Sequence, residues 1–270
     1  MRLLSLLFLL CVMCGHGYSQ RLQNNGAYSE AICNASVTLN NAEAIFHNQA
    51  GLAQLSKSEI LIAYKNRFQL KELAIQSAGI TTPIFQGNLF AAFSKTGNSN
   101  WNEYVISTGY ARSFGKNWQA AFAFYYFTQQ LTYEKSNTQL FSYSIGLIYQ
   151  MNKLKFGFHL FNPTNSNYSV NINQPSHPLQ LRIGASYKAN SFLSVNIETT
   201  YQKNNDTPFN IGIEYYLNKQ VTLLGGASTL YAKRSFGIHY QHKKLGGTIA
   251  FSSHQHLGFS PTITLKYQFR

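Results

Sequence analysis

The sequence predicts an all-β fold, a transmembrane antiparallel β-barrel of about 14 strands with an N-terminal plug segment, and three observations carry that expectation. The first is the end of the chain: Phe259, Pro261, Ile263, Leu265, Tyr267 and Phe269 fall on one face of a strand, and Ser260, Thr262, Thr264, Lys266 and Gln268 on the other. The second is composition. The chain is 15% aromatic and only 11% charged, against about 25% charged in ordinary soluble domains, yet beyond residue 14 no apolar run is long enough for a spanning helix. Lipid, if it is met, is met by strands. The third is spacing: segments of about ten residues, the length a tilted strand needs to cross a bilayer, recur with turns between them.

Residues 1–19 read as a secretory leader, with Arg2 as its charge, an apolar core from Leu3 to Cys14 and small residues before Gln20. Its removal takes Cys11 and Cys14 and leaves Cys33 alone, so neither an intrachain disulfide nor a cysteine metal site is expected. The formal net charge is +13. In an exported, aromatic, alternating chain, that charge points to outer-membrane lipids and lipopolysaccharide phosphates as partners, with no nucleic acid.

Residues 20–57 lack alternation. They hold two short helix-compatible runs, over 28–33 and 42–47, and the apolar side chains of Ile45, Phe46, Leu52 and Leu55 need a surface to cover them. This places 20–57 in the lumen as a plug segment, and 58–270 as the transmembrane barrel.

Strand centres are expected near residues 62, 76, 91, 107, 122, 144, 157, 183, 197, 212, 225, 237, 249 and 264. Turns at 113–117, 151–153, 189–191, 217–220 and 243–246 are short and rich in Asn, Gly and Lys. Longer links are expected at 96–102, 130–138 and 162–177. This alternation puts the short turns and both chain ends in the periplasm. The closing strand would pair with the first, near residues 60–66.

An internal repeat lies on even-numbered strands: Ile145-Gly-Leu-Ile-Tyr149, Ile183-Gly-Ala-Ser-Tyr187, Ile211-Gly-Ile-Glu-Tyr215 and Phe236-Gly-Ile-His-Tyr240. Its tyrosines point outward just before a short turn. Tyr149, Tyr187, Tyr215, Tyr240 and Tyr267 therefore form one level of an aromatic girdle. The glycines point inward and leave space or let another backbone approach. His159, Arg182, Glu198, Glu214, His239 and Lys266 also point inward, where opposite charges would pair across a narrow lumen. The two histidines are expected to hydrogen-bond Glu198, Glu214 or the plug.

The stretch Asn40-Asn-Ala-Glu-Ala-Ile-Phe-His-Asn-Gln-Ala-Gly-Leu-Ala53 resembles the N-terminal motif of the PorV and FadL-type outer-membrane proteins, in which Phe-x-Asn-Pro-Ala-Gly-Leu follows an acidic or amide-rich run. Asn48, Ala50, Gly51 and Leu52 match; Gln49 stands in place of the proline. Phe161-Asn-Pro-Thr164 and His256-Leu-Gly258 are similar to the PorV-like branch of the Bacteroidota. The resemblance implies a fourteen-stranded outer-membrane barrel plugged by its N-terminal segment. It also implies a role as an accessory or docking component of a protein secretion or envelope assembly machine, or else FadL-like passive transport of hydrophobic small molecules.

No enzyme is expected. Asp206 is the only aspartate, no nucleophile sits in a distinctive context, and phosphate-loop, dinucleotide-binding and nucleophile-elbow motifs are absent. His254 and His256 read as a solvent-facing loop pair, so metal and cofactor are both entered as none.

Overall fold

Alternation with a period of two produces strands, and the computed structural model contains fourteen. It describes residues 25–132, 136–166, 177–202 and 205–269. The leader expected over 1–19, the first part of the 20–57 segment and parts of the 130–138 and 162–177 links lie outside those residues. The strands are β1 Ser58–Lys65, β2 Ile75–Ile84, β3 Gly87–Gly97, β4 Trp101–Phe114, β5 Trp118–Leu131, β6 Ser136–Met151 and β7 Leu154–Phe161. They continue as β8 Gln180–Lys188, β9 Leu193–Gln202, β10 Phe209–Tyr216, β11 Val221–Ser228, β12 Arg234–His242, β13 Leu245–His254 and β14 Gly258–Phe269. Every expected centre falls inside a strand.

Each strand pairs antiparallel with its neighbours in the chain, and β14 returns to β1 to close the barrel. At that seam Ser58 stands opposite Phe269 and Lys65 opposite Thr262. Closure leaves no unpaired strand edge, which is what lets a sheet stand in lipid.

Two links are shorter than expected. β3 runs to Gly97 and β4 starts at Trp101, with Thr96 paired to Glu103; β5 runs to Leu131 and β6 starts at Ser136, with Gln129 paired to Thr138. These stretches are polar, and polarity suggested loops. Ladder bonds are made by backbone, however, so polar side chains extend a strand freely wherever it rises past its apolar belt. The link over 66–74, by contrast, folds into two 3-10 turns, Arg67–Gln69 and Lys71–Leu73.

The polarity of the wall is inverted. Ile62, Ile106, Phe124, Phe141, Ile249 and Leu265 are exposed on its outer face, while Ser77, Thr81, Ser144, Asn196, Thr200 and Thr264 are buried on its inner face. All four tyrosines Tyr187, Tyr215, Tyr240 and Tyr267 are exposed near the short-turn end, and Tyr149 stacks on Trp118 at 4.6 Å there.

Residues 25–57 pack inside the wall. They form α1 (Ala27–Ala31) and two 3-10 turns, Ala42–Phe46 and Gln49–Gln54; the second turn was not expected. Asn41 and Asn48 start the two turns, each accepting a backbone N–H two residues on, at 3.0 and 3.2 Å. The Glu43 carboxylate accepts the N–H groups of Tyr28 and Ser29, both at 3.1 Å, in the first turn of α1. A side chain on Gly26 would meet that carboxylate at 2.3 Å, and its φ of +100° also favours glycine.

Candidate functional site

The luminal segment does not run along the barrel axis. It circles the inner wall. Ala27 N donates to Thr264 Oγ1 of β14 at 2.8 Å, and Cys33 N to Ser235 Oγ of β12 at 3.1 Å. The N–H groups of Ser36 and Val37 donate to Glu198 on β9 at 2.8 and 2.7 Å. Asn48 Nδ2 donates to the Val37 carbonyl at 2.7 Å and reaches the carbonyls of Leu147 and Phe158, on β6 and β7, at 3.3 Å. Gln49 Nε2 donates to the Tyr125 hydroxyl of β5 at 2.8 Å, and the Leu55 carbonyl accepts from Asn88 of β3 at 3.0 Å.

The repeat glycines make this course possible. A Cβ added at Gly146 would lie 2.1 Å from Asn48 Oδ1, at Gly184 2.7 Å from Val37 Cγ1, at Gly212 2.6 Å from Ile32 Cβ, and at Gly237 2.7 Å from Ala31 Cβ. Four inward glycines on alternate strands thus seat four successive parts of the luminal segment. Within it, Gly51 is equally tight, since its Cβ would sit 1.8 Å from the Leu39 carbonyl oxygen. Ala50 and Leu52 join Phe90, Ala111, Ala121, Ala123 and Ile148 of the wall in one apolar cluster. Where proline was expected, Gln49 uses its amide: Nε2 also donates to the Ile45 carbonyl at 3.0 Å.

Charge fixes the same course. Arg182 Nε donates to Glu198 Oε1 at 2.6 Å, and its Nη2 reaches Ser36 Oγ at 2.8 Å. The pair lies side by side on β8 and β9; it does not bridge the lumen as expected, because the luminal segment occupies the space between opposite walls. Glu214 accepts from the hydroxyls of Tyr28 and Tyr216 and, at 2.7 Å, from Asn196 Nδ2. Burial pushes the Tyr28 phenol upward and Glu214 adds to that shift, so the hydroxyl keeps its proton to donate.

The two histidines depart from expectation. His239 Nδ1 meets Thr248 Oγ1 at 2.8 Å, and its ring lies edge-on to Tyr28 at 5.4 Å, with no bond to either glutamate. His159 is buried with neither ring nitrogen bonded among the described residues. It lines a cavity of about 40 Å³ together with His47, Tyr125 and Arg182, room for about two water molecules. Glu198 and Glu214 accept instead from the N–H groups of Ser36 and Val37, from Arg182 and Asn196, and from the hydroxyls of Tyr28 and Tyr216. Burial, aided by Arg182, lowers His47 to about 3. It is therefore neutral, with Nε2 positioned 2.8 Å from the Asn25 carbonyl to donate. Lys266 faces inward as expected, its chain lying against Gly246 beside Glu43 and Thr264.

At the long-link end the wall rises above the luminal segment around a vestibule of about 740 Å³. Phe68, Leu73, Trp101, Leu230 and Tyr231 give it apolar surface; Lys65, Arg67 and Lys233 give it charge. Its floor holds Glu30, whose carboxylate is gripped by Lys65 at 2.7 Å and Lys233 at 2.6 Å. Burial alone would raise the Glu30 carboxyl, but the ammonium groups of Lys233 and Lys65 outweigh it and hold the carboxyl far below its ordinary range. None of these three had been singled out. Lys65 was legible, since it shares the inward parity of Leu61 and Ala63 on β1. Glu30 and Lys233 lie off the strands, where no period marks a face.

No family model and no curated protein matches the sequence. Solved structures do match in fold. The Pseudomonas putida toluene transporter TodX superposes with a TM-score of 0.68 at 11% identity, covering 92% of this chain and 99% of that one. A Pseudomonas aeruginosa FadL homologue gives 0.65 at 9% identity, covering 95% and 100%. The chain shares their fold. The Acinetobacter baumannii outer membrane protein Omp33 is a more distant match, at 0.51 and 7% identity over 79% of this chain and 98% of that one. The FadL-like fold agrees with the FadL side of the motif resemblance, while the PorV-like branch rests on the motif alone.

Proposed function

We propose that this chain is a non-enzymatic channel of the bacterial outer membrane that admits hydrophobic small molecules passively, with residues 25–57 as its plug. The observation that carries this reading is the vestibule: about 740 Å³ at the long-link end, walled by aromatic and aliphatic side chains together with polar ones of both charges, and floored by the luminal segment at Glu30, Cys33 and Asn34. Pockets that bind small molecules have this size, and the side chains of Phe68, Leu73, Trp101, Leu230 and Tyr231 offer a hydrophobic molecule a surface among the polar ones. The exposed apolar belt supports the membrane location, and the fold shared with a toluene transporter supports the cargo class. The test is entry of an apolar fluorescent dye into vesicles holding the reconstituted chain. Entry several-fold faster than into empty vesicles is expected; equal rates would remove the reading.

The second reading is a PorV-like docking component of a secretion or assembly machine. Its support is a lumen lined by the luminal segment and outer links as brief as residues 98–100 and 255–257. Pull-down from native membranes tests it, and recovery of the barrel alone at every detergent strength excludes it.

A further inference from the structure

The exposed charges are sorted between the two ends of the barrel. Lys116, Lys153, Lys188, Lys219, Lys243 and Lys244 all sit in or beside the short turns and are exposed, and Lys57 joins them where the chain enters β1. They lie along the mouth from the β4–β5 turn to the β12–β13 turn and at the entry to β1, with none on the β2–β3 turn at Phe85 and Gln86; Lys188 has the inward parity of Arg182 and faces the bore. Among the described residues, no carboxylate is exposed at that end: Glu59 is buried and holds Gln268 at 2.6 Å, while the exposed Glu72 and Asp206 belong to the long-link end. None of the seven lysines has a carboxylate partner in the ion pairs of the described residues.

Their position relative to the aromatic girdle gives this charge a meaning. Lys116 stands beside Trp118, Lys153 follows Tyr149, Lys219 follows Tyr215 and Lys243 follows Tyr240. At about 3.3 Å per residue along a strand, the backbone of each lysine lies at most about 13 Å of chain beyond its ring, on the side away from the apolar belt. The girdle marks the edge of the hydrocarbon layer. The headgroup layer begins there and is about 5–8 Å deep, so the lysines start within it or just past it, and their long side chains reach back to lipid phosphates.

We infer that the short-turn mouth carries a lysine ring that binds anionic phospholipid headgroups of the leaflet it faces. The inference rests on the membrane reading above. It assigns the exposed lysines of that mouth to the leaflet it faces, where the sequence had pointed to outer-membrane lipids and lipopolysaccharide without a side. A ring that is continuous with the girdle suits a lipid annulus, because lipids approach from every direction. An acidic protein would be met by a one-sided patch.

The experiment uses the full chain, purified in detergent and exchanged into equal mixtures of phosphatidylglycerol and phosphatidylcholine, with the retained lipids quantified. Wild-type protein is expected to enrich phosphatidylglycerol several-fold, with the enrichment falling in about 0.5 M salt as screening shortens the reach of each charge. The K153Q/K219Q/K243Q/K244Q variant should fall to near parity, and K71Q/R234Q, at the other end, should keep the wild-type ratio. Equal retention of the two lipids by wild type, or full enrichment by the quadruple variant, overturns the ring. Tighter binding of polyglutamate than of phosphatidylglycerol vesicles overturns the lipid assignment in favour of an acidic polypeptide. Heat-dependent gel mobility reports folding of every variant. A folded barrel that enters phosphatidylcholine vesicles without lipid preference sinks the ring alone, whereas a chain that enters no vesicle sinks the membrane reading with it.

Discussion

At the scale of the residue, the most exacting demand falls on Glu30. Its carboxylate is almost fully buried, and it is the counter-ion of both Lys65 and Lys233, whose side chains remain 12% and 20% accessible. Removing one partner of a fully buried pair costs about 3–5 kcal/mol; vestibule water reaches both lysines, so Glu30→Gln is expected to cost about 1–3 kcal/mol of docking of the luminal segment. Cys33, buried against Ser235 beneath the same vestibule, is a built-in reporter. Its reaction with a thiol probe should quicken at least fivefold in the variant, and an unchanged rate would show that the grip on Glu30 is immaterial. Because the docked carboxyl titrates below its ordinary range, its contribution is whole above about pH 4.5 and is lost only as pH falls further. Wild-type labelling by an acid-tolerant disulfide reagent should therefore show no step from this group between pH 8 and about 5. Arg182 and Glu198 could be read from sequence because a charge on a clean two-residue period has an unambiguous side. Glu30 had no such frame, and for His159 parity gives the side it faces but not its partners.

Elements show where sequence reasoning succeeds and where it stops. Strand centres were legible because each carries several apolar residues at one parity, so a single misread position does not move the centre. Strand ends were not, since Thr96, Asn102 and Gln129 look like loop residues yet continue the ladder. The repeat glycines were legible as inward gaps, but their partners were not, because nothing in the aperiodic 25–57 stretch says which residue meets which strand. The pairing is nonetheless tight enough to test. Gly146→Val would drive Cβ into Asn48, whose amide links the luminal segment to β6 and β7; overpacking of this kind costs about 1–3 kcal/mol. The barrel should keep its heat-dependent gel mobility while chymotrypsin gains access near Phe46. A variant cut no faster than wild type would mean that the glycine is not what seats Asn48.

For the whole molecule, the controlling fact is inverted polarity, with an apolar belt outside and hydroxyls, amides and charges within. Its energetic consequence is directional: Ile249→Lys, on the outer face at mid-strand, should cost about 2–4 kcal/mol in lipid, measured as the shift in stability to urea of vesicle-held protein, and a cost below about 0.5 kcal/mol would argue that this face does not meet hydrocarbon. The circular course of residues 25–57 has a mechanical consequence as well. The segment is tied to the wall at its C-terminal side, through residue 57 into β1, and its contacts pass in sequence from β14 at Ala27 through β12 at Ala31 and β9 at Val37 to β6 at Asn48. It follows the inner wall as a band joined to β1, so its release would have to break these contacts strand by strand. In the channel proposed above, such release would free one sector of the bore at a time, in increments set by individual strands.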